Sequence, residues 1–408
     1  MNFPRKNLAI LILLWVVILI AVFLAKDNAD NEFYPLPQDP LKGRKLFVDK
    51  GCVKCHSIWG SGEKLGPDLV RISKNQSLLQ LAGLLWTHSP KMVKIMEERG
   101  LSRPTFTPEE MGALLAYIYY LNFFDKPGDF LEGEKQFSKK GCNNCHSIGG
   151  KGKEVGPPLD SFGRFISPIF MANALWNHGI QMVSMMKKRG INWPQFEGPE
   201  MIDLIAYIRS FSLDESEERL YTLPGNPKRG EKIFTQKGCV ICHAVRGKGS
   251  TFAPDLGDKK LHRSATEIIG TMWGHSFQML EEMKRKGLSV PYFSTQEMSD
   301  LISYLYFIRF SDERGNPKNG KKLFSEKGCI ICHSGEKKAG TAPDLSKSEL
   351  AFNSIELVSA MWNHAPVMEK MLKEKGLVWP RFEKNEMIDL VGYIRSIAFP
   401  KQDFQVEK

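Results

Sequence analysis

An all-α fold built from four tandem modules is what the sequence predicts, and three observations predict it. One set of landmarks recurs four times, its first cysteines (Cys52, Cys142, Cys239, Cys329) standing 90, 97 and 90 residues apart. Between them the apolar residues fall at helical spacing: "PEMIDLIAYIRSF" carries them at i, i+3/4 and i+7 and keeps a charged opposite face. No alternating run rich in β-branched side chains occurs, so strands should be rare. The spacing predicts modules at 41–125, 126–213, 228–311 and 312–398, each with three to five short helices.

Ahead of the modules, Leu8 to Ala25 is a run of 18 residues without a charge. As a helix it would measure about 27 Å, close to the thickness of a bilayer core. Arg5 and Lys6 precede it, which by the positive-inside rule holds the N-terminus in the cytoplasm and sends the rest outside. The rival is a cleaved signal peptide, but "FLAKDNAD" offers poor cleavage matches and the run is longer than the usual apolar region of roughly 7 to 15 residues. The reading is an uncleaved single-pass anchor over 1–30, in the cytoplasmic (inner) membrane with the modules on the periplasmic side. A stiff Pro-rich stalk, "YPLPQDP", fills 31–40.

Within each module a Gly stands nine residues and a Phe five residues before the first cysteine: Gly43 and Phe47, Gly133 and Phe137, Gly230 and Phe234, Gly320 and Phe324. A Trp-x-His follows (Trp86 and His88, Trp176 and His178, Trp273 and His275, Trp362 and His364), with a Met four residues on. "SPKMVKIMEERG" predicts a helix that starts at Ser89-Pro90 and stops at Gly100. Each module closes on a Glu-Met and, six residues past the Met, Tyr117, Tyr207, Tyr304 or Tyr393. Met111, Met201, Met298 and Met387 lie on the apolar stripe of that last helix and read as core. The longest connection, 214–227, reads as a hinge that pairs module 1 with 2 and module 3 with 4; residues 399–408 form a tail.

The net charge of +10 does not point to nucleic acid, because no Lys/Arg block exceeds three residues and the body lies outside the cytoplasm. All eight cysteines fall in four Cys-x-x-Cys-His pentapeptides: Cys52, Cys55 and His56; Cys142, Cys145 and His146; Cys239, Cys242 and His243; Cys329, Cys332 and His333. None is left for a disulfide. This pentapeptide is the attachment signal of a c-type haem. Two thiols at that spacing add across the porphyrin vinyl groups, and the adjacent His reaches the iron. A zinc ribbon would need its pairs roughly 15–20 residues apart, and a thioredoxin-like site a βαβ context. Four covalent haem c groups are therefore expected, each also a staple for a module too small to bury much surface unaided.

Residues from about 40 to 398 resemble four class I cytochrome c domains, on the Cys-x-x-Cys-His, the Gly and Phe before it and the Pro after it. The resemblance implies that Gly43 and Phe47 pack against Tyr117, with equivalents in each module. It also implies that Pro67, Pro157, Pro254 and Pro343 accept a hydrogen bond from the proximal histidine, fixing its tautomer. The chain departs from the family at the second axial ligand. Where relatives carry Met-Pro-x-Phe, this chain has "RPTF", "WPQF", "VPYF" and "WPRF", with Arg103, Trp193, Val290 and Trp379 in the Met place. Three readings stay open: Met92, Met182, Met279 and Met368 as preferred distal ligands, His88, His178, His275 and His364 as the alternative, or an open iron. A second Met, eight residues after the His in three modules, is replaced by Leu372 in the fourth. The Trp of each Trp-x-His either donates to a haem propionate or packs. Eight propionates would offset much of the charge, and lysines beside the pentapeptides would steer acidic redox partners.

The function implied is electron transfer by a membrane-anchored tetrahaem cytochrome, between redox partners such as a membrane quinol-oxidising complex and a terminal acceptor. No residue set reads as a substrate site, so the chain is expected to be a carrier rather than an enzyme. The alternative is the haem c subunit of a larger membrane oxidoreductase complex.

Overall fold

The computed structural model describes residues 41–73, 76–163, 166–211, 225–258, 264–308, 310, 315–333, 342–349 and 353–400. The expected anchor and stalk, most of the 214–227 connection and the end of the tail lie outside the described residues. Among those described, no helix is long and apolar enough to cross a membrane.

Module 1 contains α1 (Lys42–Asp49), α2 (Leu69–Ser73), α3 (Leu78–Glu98) and α4 (Pro108–Tyr120). Module 2 contains α5 (Phe130–Lys139), the two-residue strands β1 (Ser147–Ile148) and β2 (Lys151–Gly152), α6 (Pro168–Arg189) and α7 (Glu200–Arg209). Module 3 repeats this with α8 (Pro227–Gln236), β3 (Ala244–Val245), β4 (Lys248–Gly249), α9 (Ala265–Arg285) and α10 (Thr295–Phe307). Module 4 has α11 (Pro317–Glu326), α12 (Ile330–His333), α13 (Ser354–Glu374) and α14 (Glu386–Ala398). Strands are as rare as expected among the described residues, which hold two antiparallel ladders, β1 with β2 and β3 with β4.

Local chemistry explains where the helices begin. Asp129, Asn226 and Asn316 cap α5, α8 and α11 by accepting from backbone N–H groups of the first turn. Ser264 with Glu267 and Ser294 with Glu297 form capping boxes on α9 and α10. First and last helices then cross at contact distance. A methyl on Gly133, Gly230 or Gly320 would overlap the carbonyl oxygen of Asp203, Asp300 or Asp389, so only glycine permits the approach. The same aspartates accept the N–H of the capping residue: Asp129 N–H to Asp203 at 2.8 Å, Asn226 to Asp300 at 2.6 Å, Asn316 to Asp389 at 2.8 Å. Beside each crossing the expected aromatic pair forms, with ring centroids 6.0 Å apart for Phe47 and Tyr117, 5.7 Å for Phe137 and Tyr207, 5.6 Å for Phe234 and Tyr304 and 5.4 Å for Phe324 and Tyr393. The four Glu-Met methionines are fully buried core.

The described residues divide into two compact units, those within 77–115 and 315–400, and those within 41–76 and 116–310. In the first, α3 packs against α13 and α14. In the second, α6 packs against α9 and α10. The hinge reading is thereby corrected: modules 2 and 3 share a unit across the longest connection, and module 4 packs on the long helix of module 1. Connection length measures slack in the chain, whereas partner choice follows the apolar face that each long helix must cover. The second unit also holds an aromatic cluster in which the Tyr119 hydroxyl donates to the Tyr306 carbonyl at 3.1 Å and Tyr306 returns the bond to Tyr119 at 2.8 Å.

A second correction concerns the helix expected to start at Ser89-Pro90. It starts at Leu78, capped by Ser77 with Gln80, and runs through Pro90; α13 likewise runs through Pro366. A proline inside a helix leaves the carbonyl four residues back without its N–H. Those carbonyls belong to Trp86 and Trp362, and both find donors on the facing module.

Candidate functional site

Each pentapeptide starts on a tight turn. Gly51, Gly141, Gly238 and Gly328 sit at φ near +80° (80, 76, 82 and 77°), ending the first helix and reversing the chain into the first cysteine. The histidine N–H then bonds back to the carbonyl of that cysteine, at 3.0 Å for His56 and His243 and 2.9 Å for His146 and His333. All eight cysteines are half-buried and unbridged. Burial pushes the first thiol of each pair up, to about 11 for Cys52, Cys239 and Cys329 and about 12 for Cys142. At neutral pH these first thiols are therefore in the neutral S–H form. Among the described residues no three His, Cys, Asp or Glu side chains gather as a metal site would require.

The loop after each histidine folds back onto it. His56, His146, His243 and His333 donate from Nδ1 to the carbonyls of Pro67, Pro157, Pro254 and Pro343 at 2.9, 2.9, 3.0 and 2.9 Å. This tautomer leaves Nε2 as the lone-pair nitrogen of each ring, the atom an iron needs. Two unbridged thiols and one oriented imidazole, repeated four times, fit a covalently attached haem.

An aspartate that the sequence pattern did not single out braces this loop. Asp68 accepts from the N–H of Gly60 at 2.7 Å and of Val70 at 3.0 Å and from the Ser57 hydroxyl at 3.1 Å. Asp255 accepts from Arg246, Gly247 and Gly257 at 2.9, 2.6 and 2.7 Å. Burial opposes both charges, but these donors outweigh it and hold both carboxyls below their ordinary value. The signal was available: Pro-Asp-Leu follows the pentapeptide in modules 1, 3 and 4, and Asp160, shifted by two, takes the Gly149 N–H at 2.7 Å in module 2.

The Trp-x-His stretch has a role that the sequence did not disclose. Trp86 donates from its indole to the Pro380 carbonyl at 2.9 Å, and Trp362 to Pro104 at 2.8 Å, so modules 1 and 4 exchange the same bond. Trp176 donates to Pro291 at 2.8 Å in the pairing of modules 2 and 3. These three indoles therefore do not serve a propionate. The residue standing where relatives carry Met returns the contact. Trp379 stacks on Trp86 with centroids 4.3 Å apart, and its indole donates to the Trp86 carbonyl at 3.1 Å. Arg103 lies over the Trp362 ring at 4.0 Å and donates to the Trp362 carbonyl at 3.0 Å. These are the two carbonyls that Pro90 and Pro366 release. Trp193 does the same to Trp273, at 4.1 Å between rings and 2.9 Å to the carbonyl. In modules 1, 2 and 4 the Met position is thus an interlocking residue between modules.

The lysine two residues before the first cysteine is likewise committed. Lys140 pairs with Glu200 at 2.6 Å, Lys237 with Glu297 at 2.8 Å and Lys327 with Glu386 at 2.9 Å. Lys237 and Lys327 also donate to the carbonyls of Tyr292 and Arg381 at 2.8 and 2.7 Å. For these three lysines the expectation that they steer acidic partners gives way to a tie between the cysteine turn and the last helix.

The distal candidates lie on the long helices. From the Trp, buried in modules 1, 3 and 4 and half-buried in module 2, the His two residues on and the Met six residues on both turn away around a 3.6-residue helix. His88, His178, His275 and His364 are exposed, while Met92, Met182, Met279 and Met368 are half-buried. His88 and His275 donate from Nδ1 to the carbonyls of Leu84 and Thr271 in their own helices, at 2.8 and 2.9 Å.

A cytochrome c family model matches residues 41–122, 227–306 and 317–398. Among curated proteins, a nitric oxide reductase subunit of Stutzerimonas stutzeri is 27% identical over 94 residues, which cover 22% of this chain and 64% of that protein. The chain thus spans a little under two thirds of that relative's length.

Proposed function

This chain belongs to the cytochrome c family, and from that premise we propose that it is a membrane-anchored tetrahaem cytochrome that relays electrons outside the cytoplasmic membrane. The observation that carries the count of four is the histidine loop: module 2, which the family model leaves unmatched, forms the same Nδ1 bond from His146 to Pro157 as the other three. Each haem supplies a one-electron Fe(III)/Fe(II) couple when bound. The residues do the rest. The pairs Cys52 and Cys55, Cys142 and Cys145, Cys239 and Cys242, and Cys329 and Cys332 hold the four groups by thioethers. His56, His146, His243 and His333 present Nε2 to the proximal face, each kept in orientation by its proline. Met92, Met182, Met279 and Met368 are the favoured distal ligands, because they are half-buried where the rival histidines are exposed. A thioether ligand raises the reduction potential relative to a second imidazole. The N-terminal apolar run supplies the anchor, and the partners are a membrane quinol-oxidising complex and a terminal acceptor.

Reductive titration of the haem-loaded chain should take up four electrons per molecule reversibly, and carbon monoxide should leave the ferrous spectrum unchanged. A carbon monoxide complex at any haem would show an open iron and refute the pure carrier reading. The similarity to a nitric oxide reductase subunit supports a second reading, in which the chain is the haem c subunit of a larger membrane oxidoreductase. Co-purification of a second, catalytic polypeptide from solubilised membranes would favour it.

A further inference from the structure

The residue in front of each ring-holding proline is glycine in modules 1 and 2 (Gly66, Gly156) and alanine in modules 3 and 4 (Ala253, Ala342). Its backbone is anchored alike: Gly66 and Gly156 donate N–H to the carbonyls of Cys55 and Cys145 at 2.7 Å, and Ala253 to that of Cys242 at 2.8 Å. The two glycines have no positive φ, so the backbone does not call for glycine there. The histidine does. A methyl on Gly66 would lie 2.5 Å from Cε1 and 2.6 Å from Nδ1 of His56; on Gly156 it would lie 2.5 and 2.7 Å from the same atoms of His146. Non-bonded carbons settle at about 3.5–4.0 Å, so the ring and the methyl cannot share that space.

Modules 3 and 4 nevertheless carry that methyl, and His243 and His333 still reach Pro254 and Pro343 at 3.0 and 2.9 Å. With the Ala253 backbone still held to the Cys242 carbonyl at 2.8 Å, the part free to clear the methyl is the imidazole, which can turn about its hydrogen bond. We propose that this position sorts the four proximal histidines into two kinds: rings drawn in against glycine in modules 1 and 2, and rings displaced by alanine in modules 3 and 4. The displacement changes how the Nε2 lone pair meets the iron, and so separates the reduction potentials of the first two haems from those of the last two. Gly66, Gly156, Ala253 and Ala342 are positioning residues that act through the ring. Modules 2 and 3, which share one compact unit, hold one of each kind. The inference rests on the haem reading proposed for this chain.

The test uses the full haem-loaded chain with Gly156→Ala, Ala253→Gly and the double exchange. Intact mass first establishes that each variant carries as many haems as the unsubstituted protein. Electron paramagnetic resonance of the ferric state and a spectroelectrochemical titration then read the sites. Gly156→Ala should move one low-spin signal and one midpoint toward the alanine-type pair, Ala253→Gly should move one of each the opposite way, and the exchange should restore two of each kind. Ala253→Gly removes only one methyl and decides the matter should Gly156→Ala lose its haem. Unchanged g-values and midpoints in Ala253→Gly, or shifts of the same sign in both variants, would overturn the proposal. A bare unsubstituted polypeptide would instead overturn the haem reading itself.

Discussion

Asp68 and Asp255 carry the acid sensitivity of the haem-motif loops. Their carboxyls sit below the ordinary value of 3.8 because backbone N–H groups converge on the charged form. The unfolded chain therefore takes up protons first as pH falls. The stabilisation is complete above the unfolded value and drains away through the lower folded one. Thermal melts should fall in midpoint as pH drops through and below the ordinary carboxylate value, and Asp255→Asn should flatten part of that fall while lowering stability at neutral pH. An unchanged acid profile in Asp255→Asn would sink the assignment. Also at this scale, Cys142→Ser with Cys145→Ser should remove one haem and leave three. The cysteines and the histidine were legible because the attachment chemistry sets their spacing, and the proline because the family resemblance implied its bond to the ring. The aspartate brace was passed over although Pro-Asp-Leu recurs in modules 1, 3 and 4, since an Asp after a Pro reads equally well as an ordinary turn.

At the scale of elements, the crossing of first on last helix tolerates no side chain at the contact. Gly133→Ala should force α5 off α7 and cost at least about 1–3 kcal/mol, read as a lowered melting temperature. A stability equal to the parent would mean that the crossing is looser than the geometry implies. The long helices interlock through Trp86, which is 4% exposed, stacked and hydrogen-bonded. Trp86→Ala should cost about 3–5 kcal/mol, whereas Val378→Ala, at 86% exposed, should stay within about 0.5 kcal/mol. Comparable losses in the two would contradict the interlock. The last helices could be read from periodicity, and their Phe-Tyr pairs with the first helices from the family resemblance, because both partners lie in the same module. The start of α3 could not. Ser-Pro is a good helix opening, and what lets the helix continue through Pro90 is an indole almost 300 residues away, Trp379, which takes the released Trp86 carbonyl. For the same reason the missing Met of Met-Pro-x-Phe looked like a lost ligand, although Arg103, Trp193 and Trp379 have a contact of their own there.

At the scale of the whole molecule, pairing follows long-helix faces rather than chain order, so modules 2 and 3 associate across the longest connection in the sequence. The repeat was visible in the cysteine spacing, but the choice of partner depends on small differences among four similar faces: Thr87, Asn177, Gly274 and Asn363 at the residue after the Trp, and Arg103, Trp193, Val290 and Trp379 opposite. Fragment 116–310, loaded with haem, should therefore melt as one cooperative unit, and two separate transitions in calorimetry would contradict the pairing.

The account as a whole depends on an iron porphyrin fixed by thioethers in every module. Intact-protein mass spectrometry under denaturing conditions tests this most directly, since thioether-bound groups survive unfolding and coordinated ones do not. The mass should exceed that of the polypeptide by four haems; the bare polypeptide mass, or an excess of fewer than four, would contradict it.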